Sequence, residues 1–97
     1  MYYMKIHESP DGAILAACDK DVLGAKLEHE NLSVEITERF FKGEVVGIDA
    51  IIKGIGEVSS TNFFGNNLIR ELVVKGVLSV ENTIDVAGVK HAQIIRV

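Results

Sequence analysis

The stretch Ser59-Ser60-Thr61-Asn62-Phe63-Phe64-Gly65-Asn66-Asn67 decides how the chain is read. Its first four residues are small and polar and break the apolar patterns on either side. From Phe63 a helical period begins: Phe64, Leu68 and Leu72 recur every four residues, with Ile69 and Val73 beside them. The spacing predicts a helix from Phe63 to Lys75. Lys75-Gly76-Val77 ends it with a cation, a glycine suited to the left-handed region and an apolar residue folding back. Upstream, Ile51, Ile52 and Ile55 predict a shorter helix from an Asp49 N-cap through Glu57, weakened by Gly54 and Gly56.

Outward from these helices the chain reads as strands. Tyr2 to His7 and Ala13 to Cys18 flank Ser9-Pro10-Asp11-Gly12, a turn in which proline presets φ and glycine supplies positive φ, so the two form a hairpin. The unbroken apolar run of the second strand implies burial on both faces. Asp19 to Glu30 fits a short helix or a turn. Leu32 to Ile36 alternates, placing Leu32, Val34 and Ile36 inward on a half-buried strand. Thr37 to Gly47 reads as an irregular loop or short strand. Thr83 to Val86 and His91 to Val97 form a second hairpin around Ala87-Gly88-Val89-Lys90. Strands grouped at both ends predict an α+β class: a single compact domain over residues 1–97, a mainly antiparallel sheet with two hairpins, and two helices packed against it.

Composition narrows the function classes. Of 97 residues, 47% are apolar and 25% charged, a globular balance that excludes a disordered chain or a coiled-coil rod. The net charge is −4, and all the surplus acid lies before residue 49. Non-specific nucleic-acid binding releases phosphate counterions and needs a basic surface, so any RNA contact would need a local patch in the neutral second half. A lone cysteine, Cys18, excludes an internal disulfide and suits a reducing cytosol. No charged leader with an apolar core opens the chain, and its apolar runs are too short to span a membrane. The cytoplasm is therefore the expected compartment, and no cofactor or metal site is implied.

Two places carry candidate chemistry. The first is the polar start of the long helix, with Asn62 and Gly65, where free backbone N–H groups and the helix dipole suit a phosphate or carboxylate. Plain helix capping by Ser, Thr and Asn explains the same residues. No GK[ST] ending makes it a P-loop. The second is Gly88-Val89-Lys90-His91-Ala92-Gln93. On a strand, His91 and Gln93 share one face, with Lys90 and Arg96 near, a set able to hold an anion or a base edge. Asp85 is the candidate partner to orient the His91 imidazole for acid–base work. A solvated hairpin face, or a histidine satisfied by a backbone carbonyl, is the plainer explanation of the same residues. Cys18 beside Asp19 and Asp21 reads as a buried small hydrophobe whose thiol pKa is raised. Asp19-Lys20-Asp21 reads as a solvated turn, and His7 and His29 have no evident partner.

Cys18-Asp19 at the end of the second strand, Leu23-Gly24, Asn62-x-x-Gly65, and Gly88-x-x-His91-Ala92-Gln93 occur in that order along nearly the whole chain. This pattern resembles the small archaeal proteins of the domain-of-unknown-function 424 family. Lys90 stands where the family often has proline, and Gly54 and Gly56 where it has better helix formers. The resemblance implies an archaeal cytosolic protein and no particular reaction.

The leading expectation is a non-enzymatic binding module, an accessory of an RNA–protein, translation-related assembly, with Asn62, Gly65, Gly88, Lys90, His91 and Gln93 as its contact surface. The alternative is an anion- or small-molecule-binding protein or small enzyme that joins the helix start to His91. A homodimer through an exposed sheet edge is compatible with either.

Overall fold

The computed structural model describes residues 1–96. The first hairpin forms as the turn chemistry predicts. Strands β1 (Tyr2–His7) and β2 (Ile14–Asp19) run antiparallel, with Tyr2 opposite Asp19 and His7 opposite Ile14. Leu15 and Ala17 face one side of β2 and Ala16 and Cys18 the other, and all four are buried.

The stretch after Ser59 departs from the helical reading. Ser60–Phe64 is strand β6, which lies between β2, to which it is parallel, and the last strand β8 (Val89–Ile95), to which it is antiparallel. The reason is visible in its alternation. Thr61 and Phe63 face one side and Asn62 and Phe64 the other, so aromatic and β-branched side chains fill both faces of a central strand. The four-residue spacing from Phe64 to Leu68 spans a break. Gly65 takes a φ of 133°, open to glycine and strained for other residues, and helix α3 (Asn66–Val74) starts immediately after it.

Elsewhere the chain is more regular than its sequence suggests. Asp19 to Glu30 becomes a 3-10 turn at Lys20–Val22 followed by β3 (Lys26–His29), which pairs with β4 (Leu32–Glu35) in a separate two-stranded hairpin. Ile36 is buried and Val34 partly so, as the alternation implies, but Leu32 is 64% exposed because the hairpin tip overhangs the core. Thr37 caps a short helix α1 (Glu38–Phe41) by accepting the Phe40 N–H at 3.2 Å, and β5 (Glu44–Val46) follows. Helix α2 (Ile48–Ile55) begins after Gly47, which places Asp49 in its first turn rather than at the cap. The last hairpin joins β7 (Thr83–Val86) to β8, and the expected strand position of Val97 lies outside the described residues.

The six-stranded sheet runs in the order β5-β1-β2-β6-β8-β7, antiparallel except for the β2–β6 pair. Helices α2 and α3 cover one face through Ile51, Ile55, Leu68, Ile69 and Leu72. Helix α1 and the β3–β4 hairpin cover part of the other through Phe41, Leu27 and Ile36. The class is α+β, with three helices where two are legible in the sequence. No helix of the described residues is long and apolar enough to cross a membrane.

Gly65 is a tight point beside the start of α3. Its positive φ is joined by a close approach, since an added Cβ would press into the Asp19 carboxyl. Gly65→Ala is expected to lower stability by about 2 kcal/mol or more, read as a shift in the urea midpoint at constant slope. An unchanged midpoint would show that this corner yields freely.

Candidate functional site

The start of α3 is already filled. The Asn67 and Leu68 N–H groups donate to the two carboxylate oxygens of Asp19 at 3.0 and 2.9 Å. An anion does sit at this helix terminus, as the dipole argument predicts, and it is the chain's own side chain at the end of β2. Asn62 is not part of this terminus, since it lies within β6. Asp19 is buried, and burial pushes its carboxyl above the ordinary 3.8, outweighing the two N–H bonds that pull it down. The sequence signal was present in an acid ending a fully buried strand, and the solvated-turn reading of Asp19 is corrected here. Beside it, the Tyr2 hydroxyl donates to the Glu71 carboxylate, and burial first, then Glu71, raises the phenol pKa. The Cys18 thiol, fully buried, is pushed up to about 12, first by burial and then by Asp19 and Asp21.

Asn66 ties α3 to the last hairpin, a role its sequence position did not reveal. Its side-chain amide donates to the Gly88 carbonyl at 3.1 Å and accepts from the Lys90 N–H at 2.8 Å. The Gly65 N–H donates to the Lys90 carbonyl at 2.9 Å. Ala87 and Gly88 both take positive φ, and Asp85 accepts the Gly88 N–H at 2.7 Å to close the turn. Gly65, Gly88 and Lys90 are thereby gathered at one corner. The Lys90 side chain is left exposed.

Asn62, His91 and Gln93 come together on the sheet face away from α2 and α3. Asn62 pairs directly with Gln93, and His91 is opposite Phe64 on the same face. The His91 ring stacks on Phe64 at 4.1 Å between centroids, and its Nδ1 meets the Phe63 carbonyl at 2.8 Å. A carbonyl accepts, so Nδ1 carries the proton and Nε2 of the neutral ring is the free acceptor. The Asp85–His91 pairing does not form. Asp85 lies opposite Lys90 and Ile84 opposite His91, so Asp85 faces the other side of the sheet. Arg96 is also drawn away, since its guanidinium donates to the Ile55 carbonyl at 2.8 Å. His7 finds a partner after all: it stacks on Phe40 at 4.4 Å and bonds the Phe40 carbonyl through Nε2 at 2.8 Å. One buried polar atom on this face, Asn62 Oδ1, has no hydrogen-bond partner among the described residues.

The chain matches a known family from the end of β1 onward. The family model described as "Protein of unknown function (DUF424)" matches residues 7–97. The chain belongs to the DUF424 family. A crystal structure of an uncharacterized conserved protein from Methanopyrus kandleri is similar to it, with a TM-score of 0.81 at 24% identity, covering 99% of this chain and 93% of that one. That likeness shows a shared fold. A search of the curated proteins finds no match.

The raised carboxyl pKa fixes the sign of a pH effect for this DUF424 chain. The folded state holds the Asp19 proton more tightly than the unfolded state does, so the contribution of this group to stability is complete below 3.8 and declines as pH rises through the folded pKa. Compared with Asp19→Asn, the natural protein is expected to lose stability between about pH 4 and pH 7 in urea titrations. Asp19→Ala, which leaves two N–H groups unpaired, is expected to destabilise by about 2 kcal/mol at any pH in that window. A natural protein that gains stability relative to Asp19→Asn as pH rises would overturn this assignment.

Proposed function

We propose that this protein is a non-enzymatic binding module of the archaeal cytosol that docks on a protein component of an RNA–protein, translation-related assembly. The observation that carries the reading is the open end of the sheet at β7–β8. Strand β8 overhangs β7: the ladder stops at Thr83 opposite Ala92, and among the described residues Gln93–Ile95 have no strand partner on that side. Ile84 and Ile95, 59% and 69% exposed, flank His91 and Gln93 on the same face. A shallow notch of about 260 Å³ runs between Asn82, Ile84, His91 and Gln93. An exposed edge beside apolar side chains suits an extended segment of a partner protein, whose backbone continues the ladder while its side chains meet the isoleucines.

The polar residues supply selectivity in this reading. His91 offers Nε2 and Gln93 its amide, with Asn62 beneath them, while Gly65 and Asn66 hold the hairpin in place through the backbone of Gly88 and Lys90. Arg96 is engaged with the Ile55 carbonyl, and Lys90 faces the other side of the sheet with Asp85, which favours a protein surface over a phosphate backbone as the direct contact on the His91 face. The reading that joins the helix start to His91 gains no support from the geometry. Asp19 takes the helix N–H groups on the α3 side of the sheet, and His91 lies on the opposite side with Phe64 beneath it.

Affinity purification of the tagged chain from an archaeal lysate, with and without ribonuclease, identifies partners, and purified partner then tests the surface. Ile84→Asp and Gln93→Ala are expected to weaken that partner's binding at least about tenfold each, with Val45→Asp on the far edge as the unchanged control. Ribosomal or RNA-processing proteins retained after ribonuclease fit direct protein contact. Binding that survives both β7–β8 substitutions would remove this surface from the account.

A further inference from the structure

The helix layer on the other face of the sheet stops short of the sheet's edge. Helix α3 packs over β2, β6 and β8, and α2 over β2, while β7, beyond β8, takes no such cover from either helix. The reason is width. Six strands about 4.8 Å apart take about 28 Å, and two packed helices each about 10 Å across roof about 20 Å of it. Beside α3 is left a groove of about 350 Å³, with α3 on one side and Val80 and Thr83 on the other. It lies on the opposite face from His91, because Thr83 and Lys90 alternate with Ile84 and His91 along the last hairpin.

The lining changes character along the groove. Ile69, Val73, Val74 and Val80 make an apolar floor, with Val74 78% and Val80 66% exposed. Arg70 and Lys90 mark the end nearer the start of α3, where the Asn66 side chain accepts the Lys90 N–H. Arg70 lies one turn before Val74, so cation and valine are about 5 Å apart along α3. Among the described residues no carboxylate lines the groove, and neither cation joins an ion pair. Two acids beside these cations are committed elsewhere. Asp85, opposite Lys90, accepts the Gly88 N–H, and Glu71, next to Arg70, accepts the Tyr2 hydroxyl. Arg70 spends one N–H on the Asn67 side chain at 3.1 Å, and its remaining donors and the Lys90 ammonium have no acceptor among the described residues.

We propose that this groove seats an amphipathic helix of a partner protein, laid antiparallel to α3, with apolar side chains on the valine floor and carboxylates in its last turn against Arg70 and Lys90. Width selects a helix, because the bare strip over β7 continues a layer already built of helices. The floor selects its apolar stripe, since aliphatic side chains spaced by turns of α3 receive residues at i, i+4 and i+7. The cations select its direction. They sit at one end only, and there they meet both the acidic side chains and the negative end of the incoming helix dipole. This contact is separate from the extended segment assigned to the His91 face, and either can exist without the other.

The probe is a synthetic helix of about 16 residues, with an alanine and glutamine background, leucines along one stripe and glutamates in the last turn. Titrated into the nitrogen-labelled full chain and followed by NMR, it is expected to bind with a Kd below about 1 mM. The amides of Ile69, Val73, Val74 and Thr83 are expected to shift, and those of Asn62 and Gln93 to stay in place. Val74→Asp is expected to weaken binding at least about tenfold. The same peptide with lysines for its glutamates is expected to bind at least about tenfold more weakly, and Arg70→Glu with Lys90→Glu to reverse that preference. A reversed preference requires a folded groove, so it separates a lost contact from a lost fold. No shift at the groove amides up to about 1 mM peptide overturns the proposal, and so does equal binding of the two peptides. Shifts centred on Asn62 and Gln93 overturn it in favour of the opposite face. Groove amides that move when the chain alone is concentrated overturn it in favour of a second copy.

Discussion

Two backbone N–H groups at the start of α3 meet one buried carboxylate, and the corner of the molecule around them is arranged by that contact. Asp19 ends β2, the strand buried on both faces, so its position is set by the core. Its two oxygens hold Asn67 and Leu68, which fixes where α3 begins and how it leaves the sheet. Gly65 must then pass against the carboxyl with no side chain and a φ that glycine tolerates. From there the Gly65 N–H and the Asn66 amide reach the backbone of Gly88 and Lys90, and the last hairpin is positioned. The apolar clusters on the two sheet faces supply most of the driving force for folding. The carboxylate supplies direction, because a helix terminus inside a protein must find acceptors somewhere.

That constraint also separates the two candidate regions of the sequence. The helix start looks like an anion cradle until the anion is found to be internal. Its polar residues divide between different tasks: Asn62 goes to the far face of the sheet, Asn66 clamps the hairpin, and Asn67 offers its N–H to Asp19. His91 is held by Phe63 and Phe64 rather than by a carboxylate, with Nδ1 committed to the Phe63 carbonyl. Such an imidazole has a fixed orientation and a single open nitrogen, which suits recognition.

The ends of the chain were legible because their signals are local. Pro10 and Gly12 set the first turn, the alternation around Gly88 set the last, and Lys75-Gly76 marked the true end of α3. The centre was not legible, because β6 is a buried strand with polar residues on both faces. Its Thr61 hydroxyl accepts the Ile94 N–H at 3.0 Å, a long-range partner that no window of sequence reveals. Likewise Leu32 follows the inward alternation correctly, and is exposed only because its hairpin extends past the core it points toward. Of the residues singled out as a site, Asn62 lies on β6 rather than at the helix start, Gly65 precedes α3, Gly88 lies in the last turn, and Lys90, His91 and Gln93 lie on β8. Asn66 and Asp19, which organise them, act across 24 and 48 residues of chain; Asp19 shows locally only as an acid ending an apolar strand, and Asn66 leaves no local mark.

The most direct measurement is the NMR titration of Asp19 with the amides of Asn67 and Leu68 observed together. The account predicts that the Asp19 side-chain carboxyl titrates above 3.8, that both amide protons shift with the same midpoint, and that added phosphate leaves them in place. Amides that ignore the Asp19 titration and move instead with phosphate would contradict it, and would return the start of α3 to an external anion.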